Sequence, residues 1–129
     1  MANYTIKKEI DEPMDQVIQN LEEQLGDEGF GVLTEIDLKE TFKNKLDKDF
    51  KKYKIMGACN PNFAYEGFQS EDDLGLLLPC NFVVYENDNN KTTVAAIDPV
   101  KLLSLSENNE INELGKKIKN RFEKVINNL

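Results

Sequence analysis

Two stretches of this 129-residue chain carry a single apolar stripe at helical spacing, and this limits the fold more than any other feature. Met14, Val17, Ile18, Leu21 and Leu25 recur at i, i+3, i+4, i+7 and i+11, so they share one flank of a helix. Glu22, Glu23 and Gln24 fall mostly outside that flank. Beyond Ser106, a second flank runs through Ile111, Leu114, Ile118, Phe122, Val125, Ile126 and Leu129. Lys116, Lys117, Arg121 and Lys124 gather toward its C-terminal end, where the helix dipole favours cations. A helix with one apolar flank buries one side only, so both helices are expected on the same face of an antiparallel sheet.

The intervening segments supply the strands. Tyr4 to Ile10, Phe30 to Ile36, Phe50 to Cys59, Cys80 to Glu86 and Thr92 to Ile97 alternate or run apolar in the manner of strands. Asn87 to Asn90 is turn chemistry and makes the last two a hairpin. Cap and early-turn pairs mark helix starts: Asp11 with Pro13 before the first long helix, Asn60-Pro61, and Asp98-Pro99. Asp37 with Glu40 has capping-box spacing, and Leu38, Phe42 and Leu46 are expected to point from that short helix into the core. Leu76-Leu77-Leu78-Pro79 reads as a buried connector. The expected fold is one α+β domain over residues 1–129, in two layers, ordered strand, helix, four strands, helix, with short extra helices in the loops. The sheet face away from the helices would carry Leu33, Met56, Val83, Tyr85 and Ile97, too apolar for bare solvent, so a homodimer partner or a bound ligand is expected there.

Composition excludes several functions. The chain has 16 basic and 24 acidic residues and a net charge of −8, which repels phosphate and argues against nucleic acid as a partner. The seven lysines within residues 39–54 read as a solvated face. With no histidine, a Ser-His-Asp triad, a Cys-His pair and a His-ligated zinc site are impossible. No apolar run reaches the ~18 residues of a membrane span, and Met1 to Ile10 lacks the apolar core of a signal peptide. The expected compartment is the cytoplasm, where thiols stay reduced. Gly29-Phe30-Gly31 precedes a strand and so makes no phosphate loop, and Glu71, Asp72 and Asp73 lack the spacing of a calcium loop. The four tyrosines, Tyr4, Tyr53, Tyr65 and Tyr85, are scattered and read as amphipathic core edges.

Cys59 and Cys80 mark the one place where chemistry is expected. Cys59 closes a strand before a helix start, where the dipole would lower its thiol pKa, and Cys80 opens the next strand. On antiparallel neighbours the two thiols would approach one another, each followed by an asparagine, Asn60 and Asn81. Three readings stand: buried small apolar residues, a redox or soft-metal site such as copper(I), and a nucleophilic cysteine, for which no base is available.

Ile55 to Pro61, Leu76 to Val84 and Ala96 to Pro99, with Glu28 to Val32 and Ile36-Asp37 before them, resemble the prokaryotic family called domain of unknown function 302, over roughly residues 5 to 104. The resemblance is to its cysteine-containing branch. It implies a two-layer fold like that of the TATA-binding protein, with a curved antiparallel sheet and helices on one side, and a dimer. It implies no activity, and the cofactor is unknown. The functional expectation is a small binding or interaction domain without catalysis of its own. Its ligand would lie near Cys59, Asn60, Pro61, Cys80 and Asn81 or on the uncovered sheet face. The alternatives are thiol redox or metal handling by Cys59 and Cys80, and a dimeric scaffold.

Overall fold

The computed structural model describes residues 3–129, so the first two positions of the Met1 to Ile10 segment lie outside the described residues. Five strands form one antiparallel sheet: β1 (Thr5–Ile10), β2 (Gly31–Asp37), β3 (Tyr53–Cys59), β4 (Cys80–Glu86) and β5 (Thr92–Ile97), in the order β1-β5-β4-β3-β2. Every neighbouring pair is antiparallel, so the two edge strands, β1 and β2, run in the same direction. The connection between them is α1 (Met14–Asp27), which crosses the whole sheet. Its 14 residues measure about 21 Å at 1.5 Å per residue, close to the ~19 Å separating the outer strands of a five-stranded sheet. The C-terminal helix α5 (Asn109–Asn127) lies beside it on the same face.

The two stripes behave as their spacing requires. Met14, Val17, Leu21 and Leu25 of α1 are buried, as are Ile111, Leu114, Ile118, Phe122, Val125 and Ile126 of α5. They cover the sheet face made by Met56, Ala58, Cys80, Phe82, Val84, Val94 and Ala96. Phe122 stands at the middle: its ring meets Phe82 edge-on at 4.7 Å and Phe30 at 5.1 Å. Gly29 adopts φ 85° where the chain leaves α1, a left-handed conformation that suits glycine. Arg121 reinforces that corner. It donates from Nη1 to the Glu28 carbonyl at 2.9 Å, and its guanidinium lies 5.3 Å over the Phe63 ring.

Several expectations need correction. Met56 belongs to the core face and is fully buried, because its register partner is Phe82. Leu33 is the extra residue of a bulge between Val32 and Thr34. The helix α2 (Leu38–Leu46) is capped by the Asp37 carboxylate, as its spacing indicates, but buries no residue. It flanks the edge strand β2, so no core lies beneath it, and Phe42 packs instead on Phe50 at 5.0 Å. Leu76 is 86% exposed in a 3-10 turn (Asp72–Leu77) that buries Leu74 in its place. α1 starts without a side-chain cap after Pro13, and its approach is held by Thr92, whose hydroxyl donates to the Glu12 carbonyl at 2.8 Å. Ser106 lies before α5: its hydroxyl donates to Glu71 at 2.6 Å, tying the 3-10 turn to the helix start, which Asn108 caps.

The cap of α4 (Pro99–Leu103) is charged. Asp98 accepts from the Val100 N–H at 2.9 Å and from Lys119 Nζ at 3.0 Å, with only 9% of its side chain exposed. Burial pushes the Asp98 pKa up, but the Lys119 hydrogen bond, the backbone donors and the lysine charge outweigh it and hold the carboxyl below its ordinary 3.8. A depressed folded pKa contributes stability above the ordinary value, and that stability is lost as pH falls through the folded one. Asp98→Ala should lower the unfolding free energy by about 1–3 kcal/mol in urea titrations at pH 7. The part of the loss that depends on charge should fade below about pH 4.

Candidate functional site

The five residues singled out in the sequence separate into two places. β3 ends at Cys59, and Asn60 caps α3 (Pro61–Phe68): its Oδ1 accepts from the Asn62 and Phe63 N–H groups at 3.0 and 3.2 Å, with Pro61 in the first turn. Cys80 stands opposite Ala58 in the β3–β4 ladder, one residue out of step with Cys59. Strand alternation therefore sends Cys80 to the core face with Phe82 and Val84, while Cys59, the last residue of β3, borders the same small cavity as Cys80. Asn81 alternates away from Cys80 and joins the open face opposite Gly57.

Burial disfavours the thiolate at both cysteines. Burial pushes Cys80 up to about 12, with nearby Cys59 adding to the rise. Burial also raises Cys59, so the expected lowering by the helix dipole does not prevail. A cavity beside them, bordered by Phe30, Ala58, Phe63, Leu74 and both cysteines, has a volume of about 20 Å³, room for no more than a single water. Among the described residues, no cluster of three or more His, Cys, Asp or Glu side chains is placed to hold a metal.

The larger concavity lies on the uncovered face of the sheet. Cross-strand pairing sets out its rows. Glu9, Thr93, Tyr85 and Tyr53 form one, and Lys7, Ala95, Val83, Ile55 and Ile36 the next, followed by Thr5 and Ile97 with Asn81 and Gly57. Ala95 is short where its neighbours are long, and the face dips there into a cleft of about 360 Å³. Val83, Ala95 and Ile97 give it an apolar floor, while Tyr4, Thr5, Lys7, Tyr53, Asn81 and Tyr85 line it with polar atoms. Tyr53 and Tyr85 stack with centroids 5.1 Å apart and planes 3° from parallel, and Lys51 Nζ lies 4.7 Å from the Tyr85 ring centre. Phe50 leans on Tyr53 at 6.1 Å, so a line of rings runs from α2 to this wall. Burial raises the Tyr53 pKa, with Tyr85 and Tyr4 adding to it, so its hydroxyl keeps its proton at neutral pH. Gly57 stands opposite Asn81 in the ladder. A Cβ there would collide with the Thr34 hydroxyl and lie 2.6 Å from the Pro79 ring.

The expected open-face residues Val83, Tyr85 and Ile97 are in this cleft, but Tyr4, Lys7, Tyr53 and Ala95 were not among them. Three of the four tyrosines converge there rather than scattering along core edges, and Tyr65 alone stays apart, exposed on α3. The parity of β3, β4 and β5 was visible in the sequence, but the pairing of β1 with β5 that adds Lys7 was not.

The thiol geometry gives a direct expectation. With a pKa of about 12, Cys80 holds roughly one thiolate in 10⁴ at pH 8. Iodoacetamide at pH 8 followed by peptide mass spectrometry should leave Cys80 unmodified in the native protein and label Cys59 more slowly than free cysteine. Rapid labelling of both would contradict this account of the corner.

A family model described as Domain of unknown function DUF302 matches residues 6–129. The crystal structure of an uncharacterized conserved protein DUF302 from Bacillus stearothermophilus is similar throughout. It has 28% sequence identity, coverage of 98% of each chain, and a TM-score of 0.90. No curated protein matches the chain. The likeness thus extends past residue 104 through the C-terminal helix, and this chain belongs to the DUF302 family.

Proposed function

We propose that the protein is a small binding domain without catalysis of its own, and that its ligand seats in the cleft on the uncovered sheet face. The observation that carries this reading is the cleft itself. Its volume of about 360 Å³ lies in the range of small-molecule sites, and it combines an apolar floor with a few convergent polar groups. The cysteine corner offers no comparable space, and the burial that disfavours its thiolates weighs against the redox and metal readings. A cytoplasmic setting belongs to the same proposal and is supported by two unpaired cysteines.

A test is saturation-transfer NMR with a set of small aromatic alcohols, acids and amines, followed by amide shift mapping. Bound fragments should shift the amides of Val83, Tyr85, Ala95 and Ile97. Val83→Phe, which fills the floor, should abolish those shifts while the far-ultraviolet circular dichroism stays unchanged. Shifts confined to other surfaces would sink the reading. So would a dimer by sedimentation in which the same amides are protected from exchange, because a second copy would then occupy the face.

A further inference from the structure

We infer that the occupant of this cleft is a small organic anion, a monocarboxylate on a flat apolar body whose charge is held at Lys7. The inference rests on the binding reading above and adds the chemistry of the ligand.

The lining holds no carboxylate, although acids outnumber bases by 24 to 16 in the chain. Its polar side chains instead offer donors: the Lys7 ammonium, the Asn81 amide, and the hydroxyls of Tyr4, Tyr53 and Tyr85. Tyr53 remains a donor because its surroundings disfavour the phenolate.

Lys7 stands opposite Ala95, beside the floor of the cleft. Seven of the other 15 basic side chains, Lys43, Lys54, Lys91, Lys116, Lys117, Lys119 and Arg121, have a carboxylate within 4 Å. Lys7 has none among the described residues, and it is the basic side chain that lines the cleft. Glu9, two positions along the same edge strand, is drawn away. Its carboxylate accepts from Asn87 at 2.7 Å and Asn89 at 3.1 Å in the β4–β5 turn, with Lys91 at 3.8 Å. Lys51, over the outer wall, adds a second positive charge. Lys7 is exposed and hydrated beside a neutral ligand, is repelled by a cation, and gains a charge-assisted contact only from an anion. An anion with an apolar body satisfies both the rim and the floor, because charge-assisted hydrogen bonds are the stronger kind.

Three probes with one ring system separate the possibilities: 2-naphthoate, 2-naphthamide and 2-naphthylmethylammonium, titrated into the full chain and followed by amide shifts. The naphthoate should bind about tenfold or more tightly than the amide, as a charge-assisted contact allows, and the ammonium most weakly. Its shifts should centre on Val83, Ala95 and Ile97. Lys7→Gln should reduce the naphthoate to the level of the amide and leave the amide unchanged, while Lys7→Arg should retain the preference. A dispersed amide spectrum identifies each variant as folded. Equal binding of acid and amide in the cleft, or an acid preference that survives Lys7→Gln, overturns the anion inference and leaves the binding reading intact. If none of the probes shifts those amides, both fall.

Discussion

The contact of Phe122 with Phe82 and Phe30 organises the molecule. It joins the centre of α5 to the middle strand of the sheet and to the point where the chain turns from α1 into β2. Edge-on and tilted ring pairs at these separations add specific attraction to the burial of large apolar surfaces. Because α1 and α5 each offer a single stripe, both must lie on the side of the sheet where Phe82 points. The other side is left without a helix. Its open face is thus a consequence of helix periodicity rather than of any feature of the strands.

Each strand carries the resulting asymmetry. On β4, Phe82 and Val84 are buried under the helices, while Asn81, Val83 and Tyr85 alternate to the open face. On β5 the two sides are nearly matched in size, Val94 and Ala96 against Thr93, Ala95 and Ile97, and the small Ala95 makes the dip. The stacked tyrosines then form a wall across β3 and β4, buttressed from α2 by Phe42 and Phe50. The short helix α2 adds nothing to the core, yet its Phe42 begins the line of rings that supports the cleft.

How much of this was legible in the sequence follows from the range of each signal. Helix stripes and caps act over a few residues, and these were readable: Asn60, Asp37 and Asp98 all accept the backbone hydrogen bonds their positions suggested. Alternation within a strand was also readable, and Met56 with Ala58 separated correctly from Tyr53 with Ile55. Which of the two sets faced the helices was not, because a one-residue change of register exchanges the faces. The same limit explains the cysteines. Parity along each strand was right, but the register that sets Cys80 opposite Ala58 rather than opposite Cys59 is a cross-strand property. Leu46 and Leu76 were misjudged for another reason: apolar spacing says what a residue could bury, not whether a neighbour stands there to cover it. The cleft depends on contacts such as Lys7 with Ala95, 88 positions apart, and no local pattern encodes them.

The strand order also governs the sequence of assembly. β2 to β5 follow one another as a meander and can pair with their immediate neighbours as the chain lengthens. β1 cannot, because among the described residues it pairs with β5 alone, and Thr5 meets Ile97. β1 therefore pairs only after β5 has been made, and closing so long a loop is the kind of step that slows folding. Until it docks, the free border of β5 is open to pairing with another molecule. The charged side chains of Lys7, Lys8 and Glu9 give β1 itself an edge of the kind that discourages pairing with other molecules.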